Sequence, residues 1–106
     1  MAIPKADKTP RTTIVQANGS SHEVKYVELT NAEELDCVDE AMVGEDFRPG
    51  KFTQSCLRRM VVEIDGETIH PDSRIWLELN REFGRGLAKL VKGERGPFLD
   101  ASKKST

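Results

Sequence analysis

The twenty residues from Ser73 to Lys92 constrain the fold more than any other stretch, because at helical pitch they separate into an apolar face and a basic face. Ile75, Trp76, Leu79, Phe83, Leu87, Leu90 and Val91 share one stripe, and Arg74, Arg81, Arg85, Lys89 and Lys92 gather opposite. The spacing predicts one long amphipathic helix over 73–92, about 30 Å from end to end. In a chain of 106 residues, which allows one thin core, such a stripe must rest on the domain itself or on a partner. Both destinations fit the sequence.

The segments before it alternate in type. Arg11–Ala17 and His22–Leu29, joined by Asn18-Gly19-Ser20-Ser21, read as a β-hairpin that needs a helix or a further strand for support. Thr30-Asn31-Ala32-Glu33 is a capping-box pattern, so a helix starts near residue 31. Its expected apolar stripe is Leu35, Val38, Ala41 and Met42, and Gly44 is its expected stop. Phe47–Gly50 reads as a turn. Phe52, Cys56, Leu57, Met60 and Val61 then suggest a second helix, and Asp65-Gly66 a second short hairpin between Val62-Glu63-Ile64 and Glu67-Thr68-Ile69. Pro71-Asp72-Ser73 opens the long helix, Gly86 interrupts its stripe, and Gly93 closes it. The expected class is α+β: an N-terminal hairpin, two short helices, a small second hairpin and a long C-terminal amphipathic helix. Residues 1–10 are expected as an extended arm, 11–93 as one domain and 94–106 as a flexible tail.

Charge is unevenly distributed. Eight acidic residues and no basic one lie between Glu28 and Asp46, and Arg48, Lys51, Arg58 and Arg59 follow before the next carboxylate, Glu63. Such blocks are either solvated faces or a device for choosing partners. Cys37 and Cys56, each within an apolar helical pattern, read as reduced core thiols, which together with the lack of an N-terminal apolar leader points to the cytoplasm. The longest apolar run, Met60-Val61-Val62, excludes a membrane span.

No catalytic constellation emerges. His22, His70, Cys37 and Cys56 do not form metal-ligand spacings, so neither a metal nor another cofactor is expected. Glu33, Asp36 and Glu40 share a water-facing helix side that lacks the desolvation that divides carboxylates into acid and base. Gly84-Arg85-Gly86 lies in a helical pattern rather than a phosphate loop. The basic face of 73–92 could meet phosphate, but Glu78 and Glu82 interrupt it and the chain is acidic overall, which argues against nucleic acid. The residues therefore indicate a protein that works by contact.

Three segments carry a resemblance. Met1-Ala2-Ile3-Pro4-Lys5, Val24-Lys25-Tyr26-Val27-Glu28-Leu29 and Thr30-Asn31-Ala32-Glu33-Glu34-Leu35 resemble the N-terminal half of small tail-assembly chaperones and baseplate-hub assembly proteins of contractile-tailed bacteriophages. Leu57-Arg58-Arg59-Met60-Val61-Val62-Glu63-Ile64-Asp65-Gly66-Glu67 is similar to a helix and turn in the middle of such chaperones. The resemblance spans about half the chain. It implies a non-enzymatic phage protein, without cofactor, that binds tail, tape-measure or baseplate subunits in the bacterial cytoplasm. Under it Ile75, Trp76, Leu79, Phe83 and Leu87 would provide the contact area, and the acidic face with Glu33, Asp36 and Glu40 and the basic face would select the partner. Two other classes share these features: a permanent tail or baseplate subunit of the virion, and a small charged regulator or inhibitor of a nucleic-acid-associated host protein. Self-association is compatible with each.

Overall fold

The computed structural model describes residues 3–94. Strand β1 (Arg11–Ala17) and strand β2 (Ser20–Tyr26) pair without interruption from Arg11↔Tyr26 to Ala17↔Ser20. The reversal takes only Asn18 and Gly19, at φ 54° and 76°. Both angles are positive, as a two-residue hairpin turn requires, and asparagine and glycine are the residues that tolerate them.

Helix α1 (Asn31–Ala41) starts on a complete capping box: Thr30 Oγ1 accepts from Glu33 N–H at 3.0 Å, and the Glu33 carboxylate accepts from Thr30 N–H at 2.9 Å. It stops three residues earlier than Gly44. Met42–Val43 (β3) and Asp46–Phe47 (β4) instead form a two-stranded ribbon, with Gly44 in its turn at φ 64°. Helix α2 (Pro49–Met60) follows, so Pro49 lies in its first turn rather than marking a break ahead of it. Proline suits that position because the missing N–H has no helical partner there.

Strand β5 (Val61–Ile64) continues directly from α2 and turns through Asp65 and Gly66 into β6 (Glu67–Thr68). The two hairpins join through antiparallel β2–β5 pairing, with an irregularity at Lys25/Tyr26, giving one four-stranded sheet ordered β1-β2-β5-β6.

The long helix expected over 73–92 is two helices. Helix α3 (Ile75–Glu78) ends at Leu79, whose ψ of 139° is extended, and α4 (Arg81–Glu94) begins two residues later. Asn80 caps α4 at the break: its Oδ1 accepts from Phe83 N–H at 3.1 Å, and its carbonyl accepts from Gly84 N–H at 2.9 Å. Asparagine is poor in a helix interior and among the best caps, but both stretches keep the same apolar phase, so a periodicity analysis fuses them. Helix α4 runs through Gly93 to Glu94.

The helices cover one face of the sheet. Val15, Ala17, Val24 and Val61 meet Phe52, Cys56, Leu57 and Met60 of α2, Cys37 and Ala41 of α1, Trp76 of α3, and Phe83, Leu87 and Val91 of α4. On β1 the alternation is visible: Val15 and Ala17 are buried, while Gln16 between them is exposed, as are Thr12 and Ile14. Gly86 marks a close crossing of α4 over the sheet, since a Cβ there would meet Val15 Cγ1 at 2.4 Å.

Residues 3–10 run without helix or strand and are clipped to the β2–α1 junction. Glu28 N–H donates to the Asp7 carbonyl at 3.3 Å, and Lys8 Nζ reaches the Glu28 carbonyl at 2.7 Å and the Glu33 carboxylate at 2.6 Å. The tail expected over 94–106 lies, beyond Glu94, outside the described residues, as do Met1 and Ala2. Among the described residues no helix is long and apolar enough to cross a membrane.

Candidate functional site

The residues singled out for partner contact divide once the chain is folded. Trp76, Phe83 and Leu87 are buried in the protein's own core, and Ile75 and Leu79 pack half-buried against it. Trp76 is further tied down by its indole N–H, which donates to the His70 carbonyl at 3.2 Å. Expectation of a contact stripe along 73–92 is therefore corrected: the stripe is spent on intramolecular packing, because α4 lies over β1 and against α2.

The acidic trio divides as well. Glu40 receives both terminal nitrogens of Arg59, at 3.1 and 2.5 Å, and this guanidinium holds the Glu40 carboxyl below its usual range while pushing the arginine further up. Glu33 is half-buried, which opposes ionisation, yet the Lys8 ammonium and the Thr30 backbone outweigh that and hold its carboxyl low. Only Asp36 of the three stays exposed without an ion pair among the described residues. Two of the supposed partner-selecting groups thus act as intramolecular fasteners.

Arg59 also donates to Cys37 Sγ at 3.5 Å, where Cys37 and Cys56 meet between α1 and α2. Both thiols are free and buried, and burial pushes the Cys37 thiol up, so Cys37 is not poised as a nucleophile.

A cleft of about 510 Å³ opens where the β1–β2 turn, the β5–β6 turn and the α3–α4 joint converge. Ile64, Ile75 and Phe83 give it apolar walls, and His22, Asp65 and Asn80 polar ones. His22 Nδ1 lies 2.7 Å from Asp65 Oδ2, its ring stands edge-on to Phe83 with centroids 5.2 Å apart, and Asp65 Oδ1 accepts from Glu23 N–H at 2.9 Å. Bonding to His22 first, then to the Glu23 backbone, holds the Asp65 carboxyl below its usual range. A carboxylate-oriented imidazole is half of a general-base relay. Because Asp65 bonds both to the His22 ring and to the Glu23 backbone, the pair fastens one hairpin to the other. Sequence reading missed it because His22 and Asp65 are 43 residues apart.

Apolar surface remains exposed on another side. Leu35 is 56% exposed, and Met42, Val43 and Phe47 on the β3–β4 ribbon are 39–45% exposed. The α1 stripe expected to be core is rotated: Cys37 and Ala41 face inward, Val38 is half-buried, and Leu35 and Met42 lie outside. Leu35, Val38 and Met42 are spaced i, i+3, i+7 and so run along one side of the helix into the ribbon. Phe47 is held against Phe52 at 5.6 Å between centroids, which anchors the ribbon to the core by one ring. Asp39, Glu45 and Asp46 lie next to these residues in the chain, exposed and without an ion pair among the described residues.

Among the described residues no group of three or more His, Cys, Asp or Glu side chains could hold a metal ion. No family model matches the chain, and comparison with curated proteins and with solved structures returns no match.

Proposed function

We propose that this chain is a non-enzymatic assembly protein that binds tail, tape-measure or baseplate subunits of a contractile-tailed phage in the bacterial cytoplasm, without a cofactor. The observation that carries a contact role is the apolar set Leu35, Met42, Val43 and Phe47, left outside the core and flanked in the chain by exposed carboxylates. Exposed apolar surface costs free energy in water, and a polar-rimmed patch of it is the usual mark of a protein contact. The contact surface is thus assigned to α1 and the β3–β4 ribbon instead of the 73–92 stripe. The phage setting comes from the resemblance of Met1–Lys5, Val24–Leu35 and Leu57–Glu67.

The test is capture of partners by the tagged chain from its native infected host, after nuclease treatment, read by mass spectrometry. The expected result is tail or baseplate proteins that survive nuclease and are lost with Val43→Asp, while that variant keeps the native circular dichroism spectrum. Capture of nucleic acid or of host nucleic-acid enzymes alone would overturn the reading. Finding the protein in purified particles would replace the transient role with that of a virion subunit.

A further inference from the structure

The acid-flanked face of α1 and the ribbon has a chemical counterpart elsewhere on the same molecule. Leu77 is 75% exposed on α3 and stands between Arg74 and Arg81 in the chain. Arg81, Arg85, Lys89 and Lys92 are exposed on α4 at spacings of four, four and three residues, which is one row along the helix. None of these cations forms an ion pair among the described residues, and neither do Asp39, Glu45 and Asp46. Glu78 is exposed beside Leu77, and Glu82 accepts from Asn18 N–H at 3.1 Å, so the row is basic but not purely so. The α3–α4 segment therefore offers an exposed leucine flanked in the chain by arginines, and α1 with the ribbon offers exposed apolar side chains flanked in the chain by carboxylates.

We propose that a second copy of this chain docks its Leu77–Arg81–Arg85 surface on the α1–ribbon face, so that copies associate head to tail. This rests on the reading of that face as contact surface, but not on the phage setting. The two faces differ, hence the contact is heterologous: every copy keeps one free face of each kind, and growth continues until a ring closes or a filament extends. Solvent-exposed charge pairs contribute little one by one. Leu77 and the ribbon must supply the affinity, with the opposed charges setting orientation and making association weaker in high salt.

Sedimentation velocity of the full 106-residue chain, from micromolar to near-millimolar and at low and high salt, is the test. Expected is a weight-average mass that rises from the 11.9 kDa monomer with concentration and falls back with salt. Val43→Asp and Leu77→Asp, both at exposed positions, should each weaken association by about tenfold or more, the scale of one lost apolar anchor. Mixing the two variants decides the geometry. Each retains one intact face, so the mixture should form a one-to-one heterodimer that grows no further. A monomer at all concentrations would overturn the proposal. So would dimers of Leu77→Asp alone, which would indicate a twofold ribbon-to-ribbon contact, or association lost only when residues 95–106 are removed.

Discussion

At the scale of single residues, two glycines of α4 separate what a helix prefers from what its neighbours permit. Gly84 and Gly86 are two positions apart, and each costs about 1 kcal/mol of helix propensity relative to alanine. An added Cβ at Gly84 meets nothing within 4 Å, whereas at Gly86 it meets Val15 Cγ1 at 2.4 Å. Valine is stiff at χ1 and cannot swing that methyl aside cheaply. We expect Gly84→Ala to stabilise the protein by about 0.5–1 kcal/mol. Gly86→Ala should destabilise it, because overpacking of about 1–3 kcal/mol exceeds the propensity gain. Urea unfolding of both variants checks the pair, and shifts of the same sign would mean that α4 does not cross β1 at Gly86. The sequence pattern shows Gly86 only as an interruption of the stripe; the close neighbour that accounts for it is a strand residue, Val15.

At the scale of elements, the joint between α3 and α4 carries its cap at Asn80. Its side chain caps α4 through Phe83 N–H, and Leu79 before it is extended. The break lets Trp76 donate to the His70 carbonyl while Phe83 turns its ring to His22, orientations that one straight helix would fix by periodicity alone. Asn80→Ala should therefore cost about 1 kcal/mol, as for other lost caps, without fusing α3 to α4. A fall in the urea midpoint with unchanged helical ellipticity is the expected outcome. A gain in helicity would mean that Asn80 alone holds the two helices apart. The same scale explains the rotation of α1. Its two apolar edges, Cys37 with Ala41 and Leu35 with Met42, compete for the core, and the small pair wins because α1 lies close to α2 where Arg59 bridges to Glu40.

At the scale of the whole molecule, three carboxylates fasten parts that are distant in sequence. Glu33 holds the N-terminal arm through Lys8, Glu40 holds α1 to α2 through Arg59, and Asp65 holds the first hairpin to the second through His22. Each carboxyl titrates below its ordinary value, 4.5 for the glutamates and 3.8 for the aspartate. A lowered folded-state value means that the unfolded chain takes up protons first as the pH falls. The stabilisation is complete above the ordinary values and is lost as the pH drops through the lowered ones. We expect a urea midpoint nearly insensitive to these groups above about pH 5, falling steeply below pH 4. Asp65→Asn isolates one of them, since asparagine accepts the positive φ of 50° at that turn. The variant should be less stable than the parent at neutral pH and lose less below the aspartate range. Parallel pH profiles would exclude the His22–Asp65 fastener.

Local chemistry alone determined much of this protein. The Asn18-Gly19 and Asp65-Gly66 turns, the Thr30–Glu33 box and the α+β class are short-range signals, set by backbone angles and hydrogen bonds within four residues. Sequence also identified Trp76, Phe83 and Leu87 as residues that must leave water, since periodicity reports which side chains share a face. Only the tertiary structure decided what those faces meet. A stripe has the same pattern whether it covers a sheet or a partner, so the burial of 73–92 against β1 and α2 and the exposure of Leu35, Met42, Val43 and Phe47 followed from packing. The joining of His22 to Asp65 and of Glu40 to Arg59 lay beyond local reading for the same reason: each pair is made by chain segments that only the folded sheet and helix layer bring within hydrogen-bond distance.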